Sequence, residues 1–358
     1  MTSEEWADNA LADILGRVAV TGAEVGGRFP LFADPDSGRW QTTGRGAWTG
    51  GFWAGLLWLR ARYTGAEADR AAASACTARL AAWVDADTAT RGLILWYGTG
   101  HAVDDAGAEE LRNRAALACL DAFDPELGLV PWGSAFGGPR LLARVDAVPG
   151  MVPLLASAGT EGAGAAASHL HRHIDLCHGG HPLTPTLCFE PDRGWQACAD
   201  PPPGWSRGSA WLLLAVADAL HRPGVAALGA HRLEDVAAQL AVPVAGAAAQ
   251  LVPLADAARP DGPRDTSAAS ITAVALLKLA HLPGPRAAEY SSRAVAILKA
   301  LVTAHLTGRN GARPAGMLLD GCYDAGRGIA ERHELIWGDF FLAQGLAALT
   351  GLVDIRRV

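Results

Sequence analysis

Apolar residues recur along this chain with the three-and-four spacing of helices almost from end to end. Trp6, Leu11, Ile14, Leu15 and Val18 mark a first helix over 4–20. Phe52, Trp53, Leu56, Leu57 and Leu59 make a second, strongly apolar one that stops at Tyr63-Thr64-Gly65. The same spacing predicts helices over 66–84, 92–97, 104–123, 145–158, 161–177, 206–220, 232–240, 244–258, 267–279, 287–306 and 331–349. Strongly apolar helices alternate with Ala-rich ones, and Gly-containing turns separate neighbours, as in helical hairpins. Paired alternating runs with a hairpin turn between them are nearly absent. The pattern therefore predicts one all-α domain over 1–358, and a toroid of hairpins, a bundle or a helical solenoid would each satisfy it. In a toroid the longer loops gather at one end and line a central cavity. Here the longest are 21–48, 124–145, 178–205 and 308–330, and they hold much of the Trp and Asp.

Composition narrows the partners. Half of the 358 residues are hydrophobic and 19% are charged, enough for a sizeable core. A net charge of -7 argues against a general nucleic-acid or membrane-surface role, although a local arginine could still hold an acidic ligand. No stretch approaches the roughly 20 apolar residues of a membrane span. The polar start, Met1-Thr2-Ser3-Glu4-Glu5-Trp6, lacks a signal-peptide pattern. Cys76, Cys119, Cys177, Cys188, Cys198 and Cys322 are scattered without a CxxC pair, as expected of reduced thiols in a cytoplasmic protein. A monomer or homodimer acting on a small-molecule or oligosaccharide substrate is the expectation.

The stretch richest in candidate chemistry is Gly204-Trp205-Ser206-Arg207-Gly208-Ser209-Ala210-Trp211, followed by an apolar run. Pro201, Pro202 and Pro203 block any helix before it, which places the start near Ser206. Arg207 and Trp211 are then four apart on one face, where a guanidinium and an indole could hold a carboxylate and a flat ring together. A core Trp beside a solvated Arg has the same spacing.

Four segments, taken in order, resemble the unsaturated glucuronyl hydrolases of glycoside hydrolase family 88 and the related unsaturated rhamnogalacturonyl hydrolases of family 105. The run Trp48-Thr49-Gly50-Gly51-Phe52-Trp53-Ala54-Gly55-Leu56-Leu57-Trp58 is similar to their first-hairpin motif. The run 205–211 resembles W(S/T)RGxAW, Asp265-Thr266-Ser267-Ala268-Ala269 resembles a DSSA helix start, and Glu334-Leu335-Ile336-Trp337-Gly338-Asp339 resembles the closing ELIxGD segment. This resemblance implies a six-hairpin α/α toroid, the (α/α)6 barrel. It also implies an enzyme that protonates the enol-ether double bond of a 4,5-unsaturated uronic acid. Water adds at C5, the hemiketal opens and the aglycone leaves, without a metal or organic cofactor.

Residue by residue, the resemblance makes Asp146 the acid/base, because it precedes the MVPLL segment as the family's key Asp does; an N-cap before an apolar run is the other reading. The family's second carboxylate has no clear match, since Thr90-Arg91-Gly92-Leu93-Ile94 stands where a His-Asp-Leu-Gly-Phe segment is expected. Asp87 could serve in its place, and Asp85 is a weaker candidate; N-capping or loop solvation would equally explain both. Arg207 and Trp211 match the family's substrate-contacting Arg and Trp, Trp48 matches its first-hairpin aromatic, Trp205 is expected with them as a sugar-facing wall, and Gln196 corresponds to a loop Gln. A family His before Phe189-Glu190-Pro191 is replaced by Pro185-Thr186-Leu187-Cys188. That gap leaves two alternatives: a scaffold recruited to specialised metabolism for another Asp-driven reaction, or a catalytically silent sugar-binding protein.

His169, His173 and Cys177 share one helical face, with His171, His178 and His181 nearby, and could in principle bind zinc. No HExxH pattern or partner carboxylate accompanies them, so a polar helix face is the better reading. Ser206 and Ser267 lack an evident His–Asp pairing, which argues against a serine hydrolase.

Overall fold

Two kinds of helix alternate, and the contrast between them decides where each one packs. A computed structural model describes residues 5–179, 183–241 and 250–358. Its helices are α1 (Glu5–Val25), α2 (Gly50–Thr64), α3 (Glu67–Ala78), α4 (Tyr97–Thr99), α5 (Ala106–Asp121), α6 (Met151–Ala156), α7 (Gly159–Cys177), α8 (Ser206–Leu220), α9 (Pro223–Ala226), α10 (Ala230–Ala241), α11 (Thr266–Ala280), α12 (Ala287–Ala304) and α13 (Ile336–Leu349). In α13 every residue from Ile336 to Ala347 is buried, which requires neighbours on all sides. In α10 only Leu233, Val236, Ala237 and Ala241 are buried, a single stripe that one layer of packing satisfies.

The all-round apolar elements accordingly form an inner ring. It runs from α2 to the π-helical turn Gly92–Trp96 with α4, then to α6, α8, α11 and α13, and α13 packs back on α2. The striped helices α1, α3, α5, α7, α10 and α12 lie outside, each against one or two inner partners. This closed double ring is the six-hairpin α/α toroid; an open solenoid would leave α13 and α2 apart. A buried ion pair seals the ring. Arg17 of α1 donates from Nε and Nη2 to Glu334 (3.0 and 2.8 Å) and from Nη2 to the Gly38 carbonyl (2.6 Å). Burial, reinforced by the neighbouring Glu334, pushes the Asp339 carboxyl well above the usual range.

Some predicted helices break. The stretch 145–158 divides into a 3-10 turn, Val145–Ala147, and α6, because Gly150 between them sits at φ +70°. The end of 66–84 tightens into a 3-10 turn over Arg79–Trp83, and 92–97 is mostly π-helical. Of the predicted helix 244–258, residues through 249 lie outside the described residues and 250–258 form an irregular loop. Residues 1–4, most of the polar start, also lie outside them.

Strands, nearly invisible in the sequence, occur as two short antiparallel sheets. One has the order β2-β1-β6, from Trp40–Thr43, Phe29–Ala33 and Glu334–Leu335. The other has the order β3-β4-β5, from Leu142–Arg144, Thr186–Glu190 and Gly194–Ala197. Strands of two to five residues are too short to write an alternating pattern. They matter by position: β6 leads directly into α13, and β3, paired Arg144 to Thr186, leads directly into the turn bearing Asp146.

Candidate active site

A cavity of about 860 Å³ opens at one end of the ring. All four of the longest predicted loops reach it, through Trp48, through Trp132, Phe136 and Arg144, through 199–205, and through 322–329. A fifth wall comes from 255–259, the segment whose spacing had suggested helix. The inner ring supplies Thr90, Leu93, Arg207 and Trp211.

Asp146 stands in the 3-10 turn after β3 and lines this cavity. Its two oxygens accept from one guanidinium, Arg144 Nε at 3.0 Å and Nη2 at 3.1 Å. The N-cap of α6 is Gly150, so Asp146 is not spent on capping. The side chains of this pair are 21% and 18% exposed, and Arg144 lies over the Trp132 ring at 4.7 Å. Two glycines let the turn come so close to the inner ring. A Cβ on Gly92 would lie 2.2 Å from Met151 N, and one on Gly150 would lie 2.4 Å from Gly92 O.

Behind the turn stands a buried histidine pair on α7. His169 Nδ1 accepts from Val130 N at 3.0 Å, which fixes its proton on Nε2, and Nε2 lies 3.4 Å from the Ala147 carbonyl. His169 thus braces two pieces of cavity wall, the Trp132 loop and the Asp146 turn. His173 donates Nδ1–H to the His169 carbonyl at 2.7 Å, and the ring centroids are 4.4 Å apart. Burial drives the His169 pKa well below its ordinary value and that of His173 down to about 4. The shared polar face read from the sequence therefore faces inward, where it supports the site. His181 lies outside the described residues.

Arg207 is placed at the cavity with both of its terminal nitrogens bonded to protein acceptors. Nη1 donates to Asp265, to the Cys322 carbonyl at 2.6 Å and to Ser267 Oγ at 3.4 Å, and Nη2 donates to the Tyr323 carbonyl at 2.8 Å. It pins α8 to α11 and to the loop 322–329, with Trp205 and Trp337 rings 5.1 and 5.5 Å away. Trp211 is 1% exposed and stacks on Phe52, so it forms the floor rather than an open wall. Trp48 stacks on Tyr323 (centroids 6.2 Å, planes 20° apart) with an Nε1 to hydroxyl distance of 3.4 Å. Trp205 lines the cavity beside Asp256, to which its backbone bridges.

Two predicted residues are not brought in. Asp87 is not a lining residue. Its carboxylate accepts from Ser134 N and Oγ (3.1 and 3.0 Å) and from Arg140 Nε (3.1 Å), fastening the loop 132–140. Although partial burial opposes it, those bonds hold its pKa below the usual carboxylate range. Gln196 donates back to the Arg193 and Trp195 carbonyls within its own hairpin. In the wall where a second carboxylate was expected stands Thr90, bonded to Thr88 at 2.9 Å. Sequence reasoning missed Tyr323 and Asp256. The Pro253 and Pro263 flanks of the Asp256 segment were the available sign that it is loop.

No protein-family model matches the chain. An unsaturated glucuronyl hydrolase of Bacillus sp. (strain GL1) is 28% identical over 377 residues, covering 95% of this chain and 96% of that protein. Among solved structures, a UGL variant with dGlcA-Glc-Rha-Glc superposes with a TM-score of 0.81 at 25% identity, covering 95% of this chain and 96% of that one. The unsaturated glucuronyl hydrolase of Bacillus sp. GL1, responsible for the degradation of glycosaminoglycan, gives 0.80 at 24% identity with 96% of both chains covered. An unsaturated glucuronyl hydrolase from Streptococcus agalactiae shares the fold at 16% identity, with a TM-score of 0.82 over 99% of this chain and 94% of that one. A sequence likeness running nearly end to end, on the same ring, makes this chain a divergent relative of the unsaturated glucuronyl hydrolases.

Proposed function

We propose that this chain is an enzyme of the unsaturated uronyl hydrolase type, with Asp146 as its acid/base. The observation that carries the reading is the position of Asp146: a carboxylate that caps no helix, half-sheltered in the cavity wall, with one partner that a ligand can replace. The other lining carboxylates are otherwise engaged. Asp256 caps the Ala258 amide, Asp324 caps its own turn, and Asp200 pairs with Arg327.

While Arg144 stays paired, its guanidinium donates to both oxygens of Asp146. A uronate carboxylate entering the cavity competes for that guanidinium in the same two-pronged geometry. Once released, Asp146 can take up a proton and deliver it to C4 of the alkene. Water then adds at C5, Asp146 recovers the proton, and the hemiketal opens with loss of the aglycone. Trp48 and Trp205 are the ring-facing walls, and Arg207 with Trp211 holds the floor in place. The stretch 90–94, which stands for the expected His-Asp segment, offers the cavity Thr90 and no carboxylate, so on this reading Asp146 performs both proton steps. The same substitution favours a second reading, a scaffold turned to another Asp-driven hydration or elimination. The substrate expected is an acidic unsaturated sugar, as the dGlcA-bearing ligand of the structural neighbour suggests. Six free cysteines fit a reducing, cytoplasmic setting.

The test follows loss of the ultraviolet absorbance of the conjugated alkene over a panel of 4,5-unsaturated uronyl disaccharides. Loss with at least one substrate, abolished in Asp146→Asn, is the expected result. No loss with any of them would sink the hydration reading.

A further inference from the structure

The cavity grades from a closed floor to an open mouth. Trp211 and Arg207 at the floor are 1% and 4% exposed, whereas Phe136 and Ile329 at the mouth are 37% and 38% exposed. Large apolar side chains left this open are few among the described residues, and these two, from different loops, line one cavity. Both sit on anchored segments. Phe136 stacks on Trp83 with centroids 5.2 Å apart and planes 15° apart, and Trp83 donates Nε1–H to the Arg45 carbonyl at 2.7 Å. Ile329 exchanges two backbone bonds with Asp324, at 3.0 and 2.9 Å.

The four arginines that line the cavity are already paired, and Arg45, outside that lining, lies over the Trp83 ring. Arg327 bonds Asp200 at 3.1 Å and stands 3.6 Å from Asp324. Arg259 donates to the Ala325 carbonyl at 3.0 Å and stands 4.0 Å from Asp256. Deeper in, Arg144 belongs to Asp146 and Arg207 to Asp265. A uronate can claim Arg144, but a second anionic group would have to break one of the mouth pairs.

We infer that the group held at the mouth, the aglycone of the unsaturated uronide, is uncharged and presents an apolar, flat face to Phe136 and Ile329. This deepens the proposed function and rests on it. Because the non-reducing sugar must enter first to reach Asp146, the aglycone trails outward and meets these two side chains. A sulfated or second acidic sugar is disfavoured there.

The experiment compares phenyl, methyl and 6-sulfated N-acetylgalactosaminyl glycosides of 4,5-unsaturated glucuronic acid. It reads kcat/KM in the wild type and Kd by calorimetry in Asp146→Asn. The phenyl glycoside is expected to exceed the methyl one by about tenfold in both measurements, with the sulfated one poorest. Phe136→Ala with Ile329→Ser should cut the phenyl-to-methyl ratio to about twofold, and Leu228→Ser, an exposed apolar change away from the cavity, should leave it alone. Turnover without that discrimination, or a preference for the sulfated aglycone, overturns this inference and spares the reaction. Discriminating binding without turnover overturns the reaction and spares the inference, and no binding of any glycoside overturns both.

Discussion

Two arginines in the wall of the same cavity are each paired with an aspartate, and they differ in how many acceptors each guanidinium serves. Arg207 reaches Asp265, Ser267 and two backbone carbonyls on α11 and the loop 322–329, with the side chains 5% and 0% exposed. Arg144 has Asp146 as its hydrogen-bonding partner and a tryptophan face beneath it, with side chains 21% and 18% exposed. The first pair cannot be opened without leaving a charge buried and unpaired. The second can exchange its partner for a ligand's carboxylate at little cost, because water and ligand can reach it. Equal chemistry thus serves as a fastener in one place and, under the proposed function, as the reactive contact in the other.

The comparison breaks most sharply at Asp146. Asp146→Asn should lower kcat by about 10²- to 10⁴-fold while the melting temperature stays near that of the wild type. A variant that keeps its rate would remove Asp146 from the chemistry. Arg207→Met should do the converse, lowering the free energy of unfolding by about 3–5 kcal/mol in chemical denaturation because Asp265 loses its partner. Arg207→Lys should not restore it, since a point charge cannot span the same acceptors. If Arg207→Met unfolds like the wild type, Arg207 is a ligand contact after all.

A smaller effect sharpens the contrast through pH. The Asp146 turn rests on His169 and His173, which are neutral when folded, and the His173 pKa falls from 6.5 to about 4 on burial. Above pH 6.5 neither the folded nor the unfolded chain carries that proton. As pH falls from 6.5 towards 4 only the unfolded chain takes it up, so stability is lost progressively over that window, by about 3 kcal/mol from this one group. Denaturation midpoints measured across the window should slope less in His173→Leu; an unchanged slope would assign the acid sensitivity elsewhere. The smallest effect belongs to Asp87→Asn. Its exposed bond to Arg140 is worth less than about 1 kcal/mol, and activity should stay within about twofold of wild type. A large loss of rate would return Asp87 to the catalytic machinery.

The ring was legible because it is written in burial patterns of single helices: α13 apolar on every side, α10 on one stripe. The cavity end was legible too, since four loops were too long for plain connections. What stayed hidden depends on distant partners. Nothing around Asp87 announces Ser134 and Arg140, 47 and 53 residues further on, and nothing around Arg207 announces a pair of carbonyls 115 and 116 residues away. The resemblance pointed to Asp87 and the spacing to Arg207, and in the structure each is bonded to partners distant in the chain. The break inside 145–158 was readable, because Pro149-Gly150 is a turn signal that the apolar run around it obscured.

The joint between Arg17 and Glu334 gives the molecule a history as well as a shape. Their separation of 317 positions means that α1 leaves the ribosome long before its counter-charge is made, on the order of tens of seconds earlier at ordinary rates of synthesis. Throughout that interval the nascent arc has an open flank, with β1 lacking β6 and α2 lacking α13. The closed chamber is therefore the last thing the chain acquires, because the ring cannot close until the final helix arrives.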